Sequence, residues 1–175
     1  MTSEFASSPV DRDWPARSWE DWPAQDLPDL QATETLGHRI AGALGPGDAV
    51  MLSGPLGAGK SALARALIRA RLGDPEAEIP SPTFTLVNVY EAPGGQIWHA
   101  DLYRLGDPGE WAELGLEEAE AALLLVEWAE RLGPAAPARR LEITLTPTPQ
   151  DGRRAEIRPI GPGWERVGAA LGIGA

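Results

Sequence analysis

Residues 49–72 read AVMLSGPLGAGKSALARALIRARL, and this stretch decides the fold. Its first five residues form an apolar run of buried-strand length, and from Lys60 onward apolar side chains recur at helical spacing. Between them, residues 54–61 spell GPLGAGKS, which fits G-x-x-x-x-G-K-[ST]. Strand, glycine-rich turn and helix start, in that order, are what a phosphate group requires. Gly54, Gly57 and Gly59 permit backbone angles and a close approach that side chains would block, so successive amides can converge on phosphate oxygens. The helix opening near Lys60 adds its positive dipole end. Lys60 would reach the β- and γ-phosphates, and the Ser61 hydroxyl would be one Mg2+ ligand. Lys60 is also the one lysine among 15 basic residues, a compact ammonium where a planar guanidinium would fit a phosphate nest poorly.

Outward from this core, residues 33–44 carry Leu36, Ile40, Ala43 and Leu44 at helical spacing, with Thr33 as the expected N-cap. Residues 83–90 and 96–100 read as strands around Gly94-Gly95, and 109–121 as one or two acidic helices with Trp111, Leu114 and Leu116 inward. The run 123–126 reads as a fully buried strand. Residues 141–145 and 155–160 flank Asp151-Gly152 as an antiparallel hairpin, and 164–171 close the chain as a helix. The expectation is an α/β fold like that of P-loop NTPases, a mostly parallel central sheet with an antiparallel hairpin and helices on both faces. Residues 29–175 would be the ATPase domain. Residues 1–28, rich in Pro, Ser, Asp and Trp, read as a flexible tail, although Trp14, Trp19 and Trp22 could dock on this domain or on a partner.

The 175 residues carry 26 acids against 15 bases, a net charge of -11, and no cysteine. Disulfides, thiolate metal sites and a thiol nucleophile are excluded. A pI near 4.6 argues against unassisted binding to nucleic acid or anionic membrane. The acidity is local: residues 106–130 hold eight acids and no base, whereas the stretch around the glycine-rich loop is close to neutral. No apolar run approaches the ~20 residues of a bilayer span, and no basic segment leads into an apolar one at the start, so a cytoplasmic protein is expected.

A triphosphate site of this kind needs a carboxylate at the end of a neighbouring strand to hold Mg2+, and a polar group to orient the attacking water. Glu127 ends LLLVE and Asp101 ends QIWHAD, both at strand termini where open α/β sheets bind ligands. Residues 81–85, SPTFT, occupy the position of a switch segment, though a proline-bounded strand entry reads the same way. His99 is either a packed strand residue or a proton carrier, and Trp128 either core or a lid. Guanine readout by an Asn-Lys-x-Asp element is impossible, since the chain has one Asn, Asn88, and one Lys, so ATP is the better candidate.

The order LSGPLGAGKS, SPTFTLVNVY, HADLYRL, LLLVEWAERL and a hairpin with Asp151-Gly152-Arg153 resembles the TsaE family, the ATPase component of bacterial tRNA threonylcarbamoyladenosine biosynthesis, over about residues 30–160. The resemblance implies that Gly57, Ala58, Gly59, Lys60, Ser61 and Ala62 bind the triphosphate, Ser61 standing where many members have threonine. It implies Glu127 as the second Mg2+ ligand, Asp101 as the acid needed for hydrolysis and Thr83 as the switch residue near the γ-phosphate. Gly152, Arg153 and the region of Leu30 would add nucleotide contacts. It also implies two protein partners, TsaB and TsaD, an ATP site completed by TsaD, slow hydrolysis by the isolated protein and an indirect role with tRNA. A small-molecule or nucleotide kinase and a non-hydrolysing ATP-gated scaffold are the competing readings. The residue block 106–130, without a base, cannot be a kinase's arginine-rich lid.

Overall fold

The computed structural model describes residues 22–115, 119 and 121–173; the expectations for Trp14, Trp19 and Leu116 lie outside them. Seven strands, β1 (Gln25–Leu27), β2 (Ala49–Ser53), β3 (Val87–Ala92), β4 (Gly95–Asp101), β5 (Leu123–Glu127), β6 (Arg140–Pro147) and β7 (Arg153–Ile160), form one sheet. Its order is β1-β7-β6-β2-β5-β4-β3. The central strands β6, β2, β5 and β4 run parallel, β7 and β3 fold back antiparallel on the two flanks, and β1 pairs antiparallel with β7. The expected fold class is the one observed.

The apolar runs in β2 and β5 are continuous because both faces of these strands are covered. Val50 and Leu52 of β2, with Leu123 and Leu125 of β5, pack into a core shared with α1 (Leu30–Ala41) and α2 (Lys60–Leu72). The C-terminal helix α4 (Glu165–Ala170) contributes Val167 to the same side. Ala49 and Met51, with Leu124 and Val126, face the opposite way under Ala129 and Leu132 of a 3-10 segment, Ala129–Ala135, and near Trp111 of the short helix α3 (Pro108–Glu113). Gly37 brings α1 against α2: a Cβ there would lie 2.8 Å from the Ala66 methyl.

Two expectations are corrected. The N-cap of α1 is Asp29, whose Oδ1 accepts from the Ala32 amide at 2.8 Å; Thr33 is buried in the first turn and donates its hydroxyl back to the Asp29 carbonyl. The strand expected from residue 83 begins at Val87, because residues 83–86 turn, with Leu86 left-handed at φ 66°. In the acidic segment, where one or two helices were expected, the structure has α3, entered through Asp107, which accepts from the Gly109 amide at 2.7 Å. At the other end of the chain, β1 lies ahead of residue 29, and Trp22 packs against the main core.

The register positions the site. Asp101 and Glu127 are side-by-side partners at the carboxyl ends of β4 and β5, and Leu52 of β2 pairs with Glu127. The loop after β2 therefore opens beside both carboxylates, at the carboxyl edge of a parallel sheet.

Candidate functional site

The loop between β2 and α2 is shaped by backbone demands only glycine meets. Gly54 has φ 138°, and a Cβ there would stand 2.3 Å from the Leu145 carbonyl oxygen of β6. Gly59, at φ 101°, is the N-cap of α2 and offers no side-chain cap. The first-turn amides of α2 thus have neither an intrahelical acceptor nor a cap, leaving donors and the helix dipole open to an anion. Ala58 is buried and Gly57, with φ 77°, is exposed. Ala62, in the first turn of α2, is half-buried.

Lys60 is buried, and its Nζ donates to the Gly54 carbonyl at 2.6 Å and the Pro55 carbonyl at 3.0 Å. The ammonium lies 3.7 Å from the centroid of the Trp128 ring, a cation–π contact. Burial lowers the pKa of Lys60 from the ordinary lysine value, with Glu130, Glu127 and Asp101 pulling the other way. Trp128 itself sits at φ 58° directly after β5, and that left-handed turn aims its ring back over the loop.

The Ser61 hydroxyl donates to Glu127 Oε2 at 2.6 Å, and His99 Nε2 lies 2.8 Å from Glu127 Oε1. Glu127 and His99 are each 1% exposed. Asp101, also buried, accepts from the Ser81 hydroxyl at 3.1 Å and the Thr83 hydroxyl at 3.3 Å on Oδ2, and from the Tyr103 amide at 2.9 Å on Oδ1. The segment holding Ser81 and Thr83 is thus latched to the end of β4, and the Asp101 amide in turn donates to the Leu86 carbonyl.

From the far side, Arg153 Nε donates to the Ala58 carbonyl at 3.0 Å, and a Cβ on Gly59 would lie 2.6 Å from that nitrogen. Gly152 is pressed on the chain before α1: its Cβ would lie 2.9 Å from the Leu27 carbonyl oxygen and 3.1 Å from the Pro28 Cα. Leu30, just beyond, is 54% exposed.

The structure therefore brings Gly54, Lys60, Ser61, Asp101, Thr83, Glu127 and Arg153 into one neighbourhood, with Gly152 and Leu30 on its flank. Sequence reasoning left Trp128 and His99 undecided; the ring of Trp128 lies on Lys60 and His99 is bonded to Glu127. Ser81 had a signal in SPTFT, whereas nothing local pointed to the Tyr103 amide. A hydroxyl and a carboxylate oxygen 2.6 Å apart are hard oxygen donors of the kind Mg2+ takes. Among the described residues no group of three or more His, Cys, Asp or Glu could hold a metal ion.

Sheet, loop and site define a P-loop NTPase-like protein. The chain aligns with the crystal structure of Bacillus subtilis YdiB at TM-score 0.71 and 26% identity, covering 86% of this chain and 93% of that one. Residues 27–155 match the family model described as threonylcarbamoyl adenosine biosynthesis protein TsaE, and the chain belongs to that family. Among relatives named tRNA threonylcarbamoyladenosine biosynthesis protein TsaE, that of Rickettsia bellii is 38% identical over 73% of this chain and 88% of its own length. Those of Nostoc sp. and Mycobacterium tuberculosis are 36% and 40% identical, covering 77% and 68% of this chain and 84% and 76% of their own.

Proposed function

We propose that this protein is a Mg2+-dependent ATPase of the cytoplasm that works with TsaB and TsaD partners in forming threonylcarbamoyladenosine in tRNA, without gripping the tRNA itself. The observation that carries the reading is the Ser61–Glu127 hydrogen bond beside Lys60, which unites the loop hydroxyl, a strand-end carboxylate and the lone lysine at one helix N-terminus. Family membership and the relatives' names support the pathway.

In this reading, Gly54 and residues 57–62 receive the triphosphate. Lys60 leaves the carbonyls of Gly54 and Pro55 to meet phosphate oxygens, guided by the face of Trp128. Ser61 and Glu127 hold the cation, which when bound neutralises charge on the phosphates. Asp101 polarises the attacking water, with Thr83 beside the γ-phosphate. Arg153 braces the loop through Ala58, and Gly152 and Leu30 lie toward the rest of the nucleotide. Among the described residues no helix is long and apolar enough to cross a membrane.

The test is phosphate release from ATP by the purified chain, alone and with TsaB and TsaD, for the parent and for Lys60→Ala. Slow release that rises with the partners and is lost in the variant supports the reading. Phosphoryl transfer to an added acceptor, or parental turnover in Lys60→Ala, overturns it.

A further inference from the structure

The Glu127 carboxylate is 1% exposed, so its orientation is settled by protein neighbours. The final torsion of a glutamate side chain has broad, weak preferences, and hydrogen bonds must decide which oxygen points where. The two side-chain bonds found for it divide the labour: Oε2 takes the Ser61 hydroxyl at 2.6 Å and Oε1 meets His99 Nε2 at 2.8 Å. An ionised carboxylate only accepts, so His99 carries its proton on Nε2. The other ring nitrogen, Nδ1, is buried without a hydrogen-bond partner, and a proton placed there would be an unsatisfied buried donor. Both observations select the same tautomer. The backbone that carries the ring is fixed, because β4 is paired on both sides, with His99 opposite Asn88 of β3 and Leu125 of β5, and the residue is 1% exposed.

We propose that His99 is the positioning residue of this site: its Nε2–H holds Oε1 of Glu127 and thereby keeps Oε2 beside the Ser61 hydroxyl, where the divalent cation of the nucleotide complex is bound. The assignment rests on the reading of Ser61 and Glu127 as the cation's ligands. His99 touches neither nucleotide nor cation, and its effect is read through Glu127. Partners of this kind tune metal affinity about 10–100-fold.

The experiment titrates Mg2+ against binding of a fluorescent ATP analogue by the full chain, with affinity in excess EDTA measured in parallel, for the parent, His99→Gln and His99→Phe. His99→Phe should raise the Mg2+ concentration for half-maximal effect about 10–100-fold and leave the EDTA affinity at the parental level. His99→Gln keeps an amide donor and should restore most of the Mg2+ response. A folded His99→Phe with the parental Mg2+ midpoint overturns the proposal, as does an equal loss with and without the cation, which a merely structural role would produce. Should His99→Phe fail to fold, His99→Asn, whose shorter side chain withdraws the donor from Oε1, decides in the same way. A parent whose nucleotide binding ignores Mg2+ overturns the cation-site reading itself, and this proposal with it.

Discussion

Asp101 is the residue whose charge and whose contacts can be separated. Its two oxygens accept from the Ser81 and Thr83 hydroxyls and from the Tyr103 amide; an asparagine can keep its one oxygen on the Tyr103 amide and turn its NH2 to the hydroxyls, which can accept. Asp101→Asn should therefore preserve the latch on residues 81–83 and bind ATP as the parent does, yet lose the negative charge to which the proposed function gives the task of polarising water. Hydrolysis should fall about 100-fold or more. Equilibrium binding and single-turnover hydrolysis on the same preparation check this, and parental hydrolysis in the variant removes Asp101 from the catalytic group.

At the scale of elements, the loop after β2 is held by its neighbour β6 as much as by its own sequence. Gly54 lies against the Leu145 carbonyl, a backbone atom that cannot swing aside, whereas Gly57 has positive φ but nothing within 4 Å of its would-be Cβ. Gly54→Ala should lower unfolding free energy by at least about 2 kcal/mol, from backbone strain together with the clash. Gly57→Ala should cost only about 1 kcal/mol, from strain alone. Chemical denaturation of the two variants separates the contributions; equal losses would mean that close packing of β2 on β6 is not what shapes the loop.

At the scale of the whole molecule, the chain ahead of α1 closes the sheet. Trp22 packs against the core beside α4, where a Cβ on Gly168 would lie 3.2 Å from the indole, and β1 then pairs with β7 up to Leu27 and Arg153. That pairing seats Gly152 against Leu27 and Pro28 next to the loop. Trp22→Ala should cost about 2 kcal/mol, less than the ~3–5 of a fully buried tryptophan. Hydrogen exchange should show the loss first in residues 25–27. Unchanged protection there would show that β1 is held by its ladder alone.

The strand, loop and helix of residues 49–72, the buried run ending in Glu127 and the strand ending in Asp101 were legible because each is written in local periodicity and glycine placement. The turn at residues 83–86 was not, since TFTL alternates as a strand does, while bonds to Asp101, to the Pro82 carbonyl and from Thr85 to Asn88 hold it bent. Asp29 was passed over as the cap because the apolar periodicity is strongest from Leu36 onward, while a cap depends on one hydrogen bond at the helix start. By itself, then, the sequence determined a glycine-rich loop of the P-loop pattern in an α/β sheet and the acids near it, properties carried by neighbours along the chain. Only the tertiary structure decided that Glu127 lies between Ser61 and His99, that Trp128 supports Lys60, and that Arg153 braces Ala58. Those contacts join residues far apart in the chain, and it is strand register that determines which of them meet.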